Sequence, residues 1–307
     1  MVHNLGRKGL AWEGRLEPMF NLTYLRALAQ LFSPPAIRSM AGMRLPSGMA
    51  GLIAESGLSG ELPLAATNRT LIETIYRLLM RHYRCEYVYK NAIAKKILVG
   101  RHRLADATMA TELRCDTSKA DFVILNGTST VYEIKTELDN LDRLPGQISS
   151  YRKMFDRIFV VAHQALAELL WDSLDSDVGI LALTPKGTLR QLRDSVAHAE
   201  LVDPNCIFDS LRKPEYMAIV EKHFGPQPPL PNTMHYSHYR AIFATLSPVV
   251  AHAEMVGALK LRFRPPVDRP FLEQIPDSLI AGLLGSQMTS EQAISLVKFM
   301  DTEYSPA

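Results

Sequence analysis

The sequence predicts an α/β protein in which a mixed central sheet is flanked by helices and followed by a mostly helical C-terminal region. Three observations carry this. The short runs "TMATELRC", "ADFVIL", "VYEIK", "RIFVVA" and "VGILAL" are rich in residues that suit strands and are bounded by turn residues. Segments with helical spacing precede the first run and separate the later ones. Beyond about residue 200 the strand signals stop and the pattern is mainly helical.

Taken in order, residues 1–65 form an N-terminal extension, rich in Gly, Pro, Met and Ala and partly helical around Leu22 to Phe32. A core follows over 66–200. It opens on "TNRTLIETIYRLLMRHY", where Leu71, Ile72, Ile75, Leu78 and Leu79 share a helix face and Asn68 or Thr70 serves as the cap. Three strands come next, the last two joined by the hairpin signal "NGTST". "LPGQISSYRKMF" reads as a helix with Pro145 near its first turn, and "RIFVVA" as a strand covered on both faces. "HQALAELLWDSL" is helical, "VGILAL" is a strand, and "TPKGT" is a turn. Residues 201–307 form the C-terminal helical region, entered through the Pro-rich linker "GPQPPLPNT". It contains "RAIFATLSPVVAHAEMVGALKLR" and a last helix from Ser290.

With 307 residues, 47% of them apolar and 21% charged, the chain has ample material for a core, which excludes a disordered or low-complexity protein. A net charge of +2 does not by itself point to nucleic acid. Cys85, Cys115 and Cys206 are too scattered for a disulfide framework or a zinc site, so a reducing cytoplasm is the expected home. The opening "MVHNLGRKGLAWEGRLEP" has no apolar core of signal-peptide length, and His163, Gln164, Glu168 and Asp172 interrupt the richest apolar run; neither export nor membrane contact is expected.

The chemistry is concentrated between Ser118 and Tyr151. Asp121, Val123, Leu125, Val131, Glu133 and Lys135 are all odd-numbered and share one strand face, while Phe122, Ile124, Tyr132 and Ile134 form an apolar opposite face. Pairing Leu125 with Val131 across a five-residue loop sets Asp121 opposite Lys135 and Val123 opposite Glu133. Two carboxylates that close repel unless a cation lies between them, and a hard divalent ion such as Mg²⁺ or Mn²⁺ fits oxygen ligands of this kind. Lys135, one pleat along, can orient a water and offset charge developing on a phosphate.

Asp121, then Glu133-Ile134-Lys135 on a following strand, in the order helix, three strands, helix, strand, resembles the PD-(D/E)xK nuclease superfamily and its restriction-endonuclease-like core. Gln147 and Tyr151, four apart on the next helix, resemble the QxxxY motif of the RecB-like and lambda-exonuclease-like branch. More narrowly, "VYEIKTELDNLDRLPGQISSYRKMFDRIFVV" resembles a family of bacterial and phage PD-(D/E)xK-like proteins typified by a G-Y-E-I-K-S, R-L-P-x-Q, Y and F-D-R-V series. The resemblance covers roughly Glu112 to Ala162. It implies metal ligation by Asp121, Glu133 and the backbone carbonyl of Ile134, water positioning by Lys135, and steadying of the site by Gln147 and Tyr151. Ala120 stands where the superfamily name has proline. For the upstream acid, Glu112 is the first choice and Glu73 the second.

The implied function is Mg²⁺- or Mn²⁺-dependent hydrolysis of phosphodiester bonds, in DNA before RNA. The alternative is a module that grips nucleic acid or a protein partner without cutting, as in a defence or mobile-element system, with the C-terminal helices as the docking surface. Arg and Lys crowd "RLLMRHYRCEYVYKNAIAKKILVGRHR" around Tyr83, Tyr87 and Tyr89 with the single acid Glu86, and such a segment could take phosphates and stack on bases. Glu137, Asp139 and Asp142 read as a solvated loop, "HYSHY" as structural, and Cys115 as a small buried residue.

Overall fold

The computed structural model describes residues 22–58, 62–265 and 267–305. The opening segment, expected to lack a signal-peptide core, lies outside the described residues up to residue 21. Helices α1 (Leu22–Ala29), α2 (Pro34–Ala41) and α3 (Met49–Glu55) come first. In α2, Ser33 accepts from the Ala36 N–H and Pro34 takes the first turn, where its missing N–H costs nothing. Helix α4 (Asn68–His82) buries Leu71, Ile72, Ile75 and Leu79 of the predicted stripe, with Leu78 partly buried against the same core. Its cap is neither Asn68 nor Thr70 but Thr67, whose hydroxyl accepts from the Thr70 N–H. Helix α5 (Glu86–Ile93) runs on into a π-helical stretch over Ala94–Val99.

Six strands form one mixed sheet in chain order: β1 (Thr108–Cys115), β2 (Ser118–Leu125), β3 (Ser129–Lys135), β4 (Arg157–His163), β5 (Gly179–Leu183) and β6 (Leu189–Arg193). The first three are an antiparallel meander, β4 and β5 are parallel to β3, and β6 returns antiparallel at the edge. Between β3 and β4 the chain crosses over through α6 (Leu144–Arg152), and between β4 and β5 through α7 (Gln164–Leu169). The sequence gives no sign of β6, because "LRQLR" on a half-exposed edge lacks an apolar run. Helix α7 stops earlier than the pattern suggests, and Arg193 of β6 donates to the carbonyls of Trp171, Leu174 and Asp175 just beyond it.

The hairpin between β2 and β3 is tighter than its sequence signal implies. Leu125 pairs with Ser129 and Val123 with Val131, leaving only Asn126, Gly127 and Thr128 in the loop, with Gly127 at φ +101°. Carried one step past the last pair, Phe122 with Tyr132, this register sets Asp121 across from Glu133 and not from Lys135. The expected pairing was wrong by one pleat, because Ser129 and Thr130 extend β3. Face parity survives, since the shift is two residues.

Phe122, Ile124, Tyr132, Ile134, Phe159, Val161, Leu181 and Leu183 face one apolar layer, built with α1 to α5. Val123, Val131, Val160, Ala162, Ile180 and Ala182 face the other, built with α6 and α7. The C-terminal region divides between the layers. Helices α8 (Pro204–Ser210), α9 (Lys213–Phe224), α10 (Asn232–Phe243) and α11 (Pro248–Arg262) join the second. Helices α12 (Arg269–Leu272), α13 (Ile280–Gly285) and α14 (Ser290–Asp301) return to the first. The expected helical run from Arg240 to Arg262 breaks at Ser247-Pro248, which cap and open α11. His252 of α11 pairs through Nε2 with the Ser129 hydroxyl at 2.7 Å, fixing the second layer to the start of β3.

Buried Asn68 clasps the end of α14 to the start of α4: its Nδ2 donates to the Phe299 carbonyl at 3.1 Å and to Thr302 Oγ1 at 2.9 Å. Asn68→Ala should lower stability by about 1–2 kcal/mol in urea unfolding. Removing the neighbouring solvent-facing Arg69–Asp301 pair should cost about 0–1 kcal/mol. Equal effects would contradict the clasp.

Candidate active site

Strand β3 is buried along its whole length, so the two charged residues it carries must find partners inside the protein. Glu133 and Lys135, two apart, point to the α6 layer together. Lys135 Nζ donates to Glu133 Oε1 at 2.7 Å and to Gln147 Oε1 at 2.9 Å. The Tyr151 hydroxyl lies 2.6 Å from Glu133 Oε2 and 2.9 Å from the Lys119 carbonyl. Gln147 and Tyr151 thus share a face of α6, as their spacing predicts, and each engages one of the two β3 charges. Burial and then the Glu133 charge push the Tyr151 hydroxyl far above its ordinary pKa, which keeps it a neutral hydrogen-bond donor.

Asp121 lies beside this group, and its Oδ2 accepts from the Ile134 N–H at 2.9 Å. The side-chain contact that the Ile134 backbone makes here is through its N–H. Glu112 falls across from Asp121, between the pairs Thr111 with Phe122 and Leu113 with Ala120. At this point both strands skip. Ala110 and Leu113, three apart, enter the same apolar layer, as do Ala120 and Val123, and Glu112 takes φ +54°. A non-glycine residue held there stores on the order of 1–3 kcal/mol of strain, and such strain clusters at functional sites. Glu112, Asp121 and Glu133 therefore form a row of carboxylates across β1, β2 and β3.

Helix α5 adds a residue that the sequence did not single out as a ligand. One carboxylate oxygen each from Glu86, Glu112 and Asp121 lie within 4.8 Å of one another. Lys90, one turn after Glu86, bridges Glu86 Oε1 at 2.5 Å and Glu112 Oε1 at 2.7 Å. Burial works against the Lys90 charge, but Glu86 and Glu112 raise its pKa above the ordinary value. Burial also opposes the Glu112 charge, yet Lys90 and Lys119 hold that carboxyl below the usual carboxylate range. The signal that could have found Glu86 was its isolation: it is the only acid in the basic segment before β1. Glu73, the second choice for the upstream acid, is elsewhere, accepting from the Ser278 hydroxyl at 2.9 Å.

Beside Asp121 opens a cavity of about 720 Å³ lined by Arg114, Lys119, Asp142, Arg143 and Gln147. Arg114 and Arg143 are exposed and make no ion pair among the described residues, and Lys119 is 63% exposed. The two guanidinium groups are free to meet an anion, and Lys119 beside them pairs with Glu112 at 3.4 Å. Within the basic segment Tyr89 is fully buried, while half-buried Tyr87 stacks on Phe32 at 4.7 Å and donates its hydroxyl to the Ser278 carbonyl. Glu137, Asp139 and Asp142 are exposed in the loop after β3, with Asp139 accepting from the Thr136 N–H and hydroxyl. In "HYSHY", His235 stacks on Tyr239 and His238 pairs with Gln227. Cys115 is buried and donates to the Ser150 carbonyl.

The donor set is entirely hard oxygen, the kind of ligand a hard divalent cation takes, with one oxygen of each carboxylate within 4.8 Å of the others. Asp121 adds a second indication. Burial first, and the Glu133 charge next, push its carboxyl up to about 7, against the lowering effect of the Ile134 N–H; a bound cation would relieve both. Without divalent ions, the folded state keeps an Asp121 proton that the unfolded chain releases near pH 4. The stability attached to this proton is therefore present below pH 4 and lost as pH rises toward 7. Asp121→Asn should accordingly be more stable than the parent at pH 8 in chelator, with the gain vanishing at pH 4, in urea unfolding at the two pH values. A gain independent of pH would contradict the assignment.

Known proteins match the part of the chain that carries these groups. The family described as Bacteriophage P4 protein cII matches residues 80–281, more than half of the chain, from the end of α4 into α13. Protein cII of Enterobacteria phage P4 is 26% identical over 121 residues, 39% of this chain and 43% of that protein. The match thus spans less than half the length of that relative. No solved structure matches the chain. Glu86, Lys90, Glu112, Asp121, Glu133, Lys135, Gln147 and Tyr151 all lie within the matched residues, and the chain belongs to the family of bacteriophage P4 protein cII.

Proposed function

We propose that the chain is a Mg²⁺- or Mn²⁺-dependent nuclease with a restriction-endonuclease-like core, hydrolysing phosphodiester bonds with DNA as its first substrate. The observation that carries this reading is the carboxylate row Glu112, Asp121 and Glu133 on three adjacent strands, with Lys135 held beside it. The element order helix, three strands, helix, strand and the engagement of Gln147 and Tyr151 with Lys135 and Glu133 support it further.

Glu86, Glu112 and Asp121, with Glu133 alongside, are the residues that would hold the ion. When bound, a divalent ion supplies positive charge and Lewis acidity at the scissile phosphate. The chain's own groups do the rest. Gln147 and Glu133 fix the Lys135 ammonium, which orients the attacking water through a hydrogen bond and offsets charge that develops on the phosphate oxygens. Tyr151 fixes the Glu133 carboxylate in turn. Arg114, Lys119 and Arg143 receive the neighbouring phosphates of the strand.

One observation favours a second reading, a module that binds nucleic acid without cleaving it. Both oxygens of Glu133 are already engaged, by Lys135 and by Tyr151, so this carboxylate reaches an ion only by releasing a partner. Cleavage assays separate the readings.

With linear, circular and single-stranded DNA and Mg²⁺ or Mn²⁺, the parent should cleave, and Lys135→Met should lose on the order of 10²–10³-fold in rate. Glu86→Gln should weaken metal binding while Glu73→Gln leaves it unchanged; the reverse order would overturn the ligand set. DNA binding without turnover under every condition would favour the second reading. Arg143→Ala should reduce the slope of log binding constant against log salt by about 0.9 for duplex DNA, and an unchanged slope would remove Arg143 from the phosphate path.

A further inference from the structure

We infer that the Lys90 ammonium is a built-in cation standing where a second metal ion would otherwise be, so that the site takes one divalent ion per chain. The inference rests on the metal-dependent reading above and adds to it the number of ions and the role of a lysine outside the sequence motif.

Lys90 is held from two elements at once. Its Nζ is 2.5 Å from Glu86 Oε1 on its own helix and 2.7 Å from Glu112 Oε1 on β1, and only 15% of its side chain is exposed. Lys119 reaches Glu112 from the other side, but at 3.4 Å and 63% exposed it is a solvated neighbour that salt screens. The position between Glu86 and Glu112 is thus already filled by a positive charge that cannot dissociate. An ammonium donates to several oxygens at once, as the two short contacts require.

Charge balance points the same way. Counted at full formal charge, Glu86, Glu112, Asp121 and Glu133 face two closely held ammonium groups, Lys90 and Lys135. The remainder is minus two, which one divalent ion neutralises. A second ion would turn that remainder into plus two. In sites that use two ions, the second stabilises charge on the leaving oxygen. Lys90 can supply that charge from a fixed position. It also lines a cavity of about 570 Å³ together with Glu86, Glu112, Arg26, Tyr83 and Thr111, so a ligand has room to approach it.

The test is calorimetric titration of the full chain with Mn²⁺, comparing the parent with Lys90→Met and Lys90→Arg. The parent and Lys90→Arg should each take one ion. Lys90→Met should take two, or bind its first about tenfold or more tightly, because a charge that repelled the ion is gone. A lysine that only braces the fold would leave number and affinity unchanged or weaken binding, and either result overturns the inference, as would two ions in the parent. Because Lys90→Met leaves two carboxylates facing each other, its melting temperature is followed as Mn²⁺ is added. A larger Mn²⁺-dependent rise than in the parent supports the inference, and an equal or smaller one overturns it. Absence of Mn²⁺ binding in all three proteins would instead sink the metal-dependent reading itself, and this inference with it.

Discussion

The structure depends on keeping like charges together inside a sheet. Glu112, Asp121 and Glu133 fall in line across three hydrogen-bonded strands, where neighbouring strands are about 4.8 Å apart and carboxylates at that spacing repel. Each is held by a separate device. Glu133 is clamped by Lys135 and Tyr151, Glu112 by Lys90, and Asp121 by the N–H of Ile134. Asp121 has the weakest support, and burial and the Glu133 charge raise its pKa, which marks it as the carboxylate with most to gain from a cation.

The architecture delivers those devices from both sides. The crossover between β3 and β4 lays α6 over β3, bringing Gln147 and Tyr151 onto Lys135 and Glu133. On the other side, α5 is fixed by the C-terminal return of the chain: Asn91 donates to the Asp277 carbonyl and accepts from the Ala281 N–H. That anchorage sets Glu86 and Lys90 against β1. Residues remote in sequence therefore hold the second half of the site, and the skip at Glu112 turns its carboxylate toward them.

Local pattern was enough for the helix stripe of α4, the strands β1 to β5, the face parity of Glu133 and Lys135, and the i, i+4 pairing of Gln147 with Tyr151. Each rests on a short-range period that the backbone enforces. The register of the β2–β3 hairpin was not legible, because Ser129 and Thr130 suit a loop or a strand equally and only the closed turn decides. The skip at Glu112 leaves no mark either, since a positive φ is ordinarily signalled by glycine and here a glutamate adopts it. Glu86 was hidden for a different reason. A single acid in a basic helix reads as a surface ion pair, and only the packing of α5 against β1 turns it toward Asp121. Tyr89 of the same segment is fully buried, because the packing of α5 turns it inward.

The central claim is that this carboxylate group is a divalent-cation site. Anomalous diffraction from crystals grown with Mn²⁺ tests it most directly. The account predicts one peak among Glu86, Glu112 and Asp121 with Lys90 still in place beside it. Crystals that diffract well but show no peak there, with the Lys90 bridge intact, would contradict it.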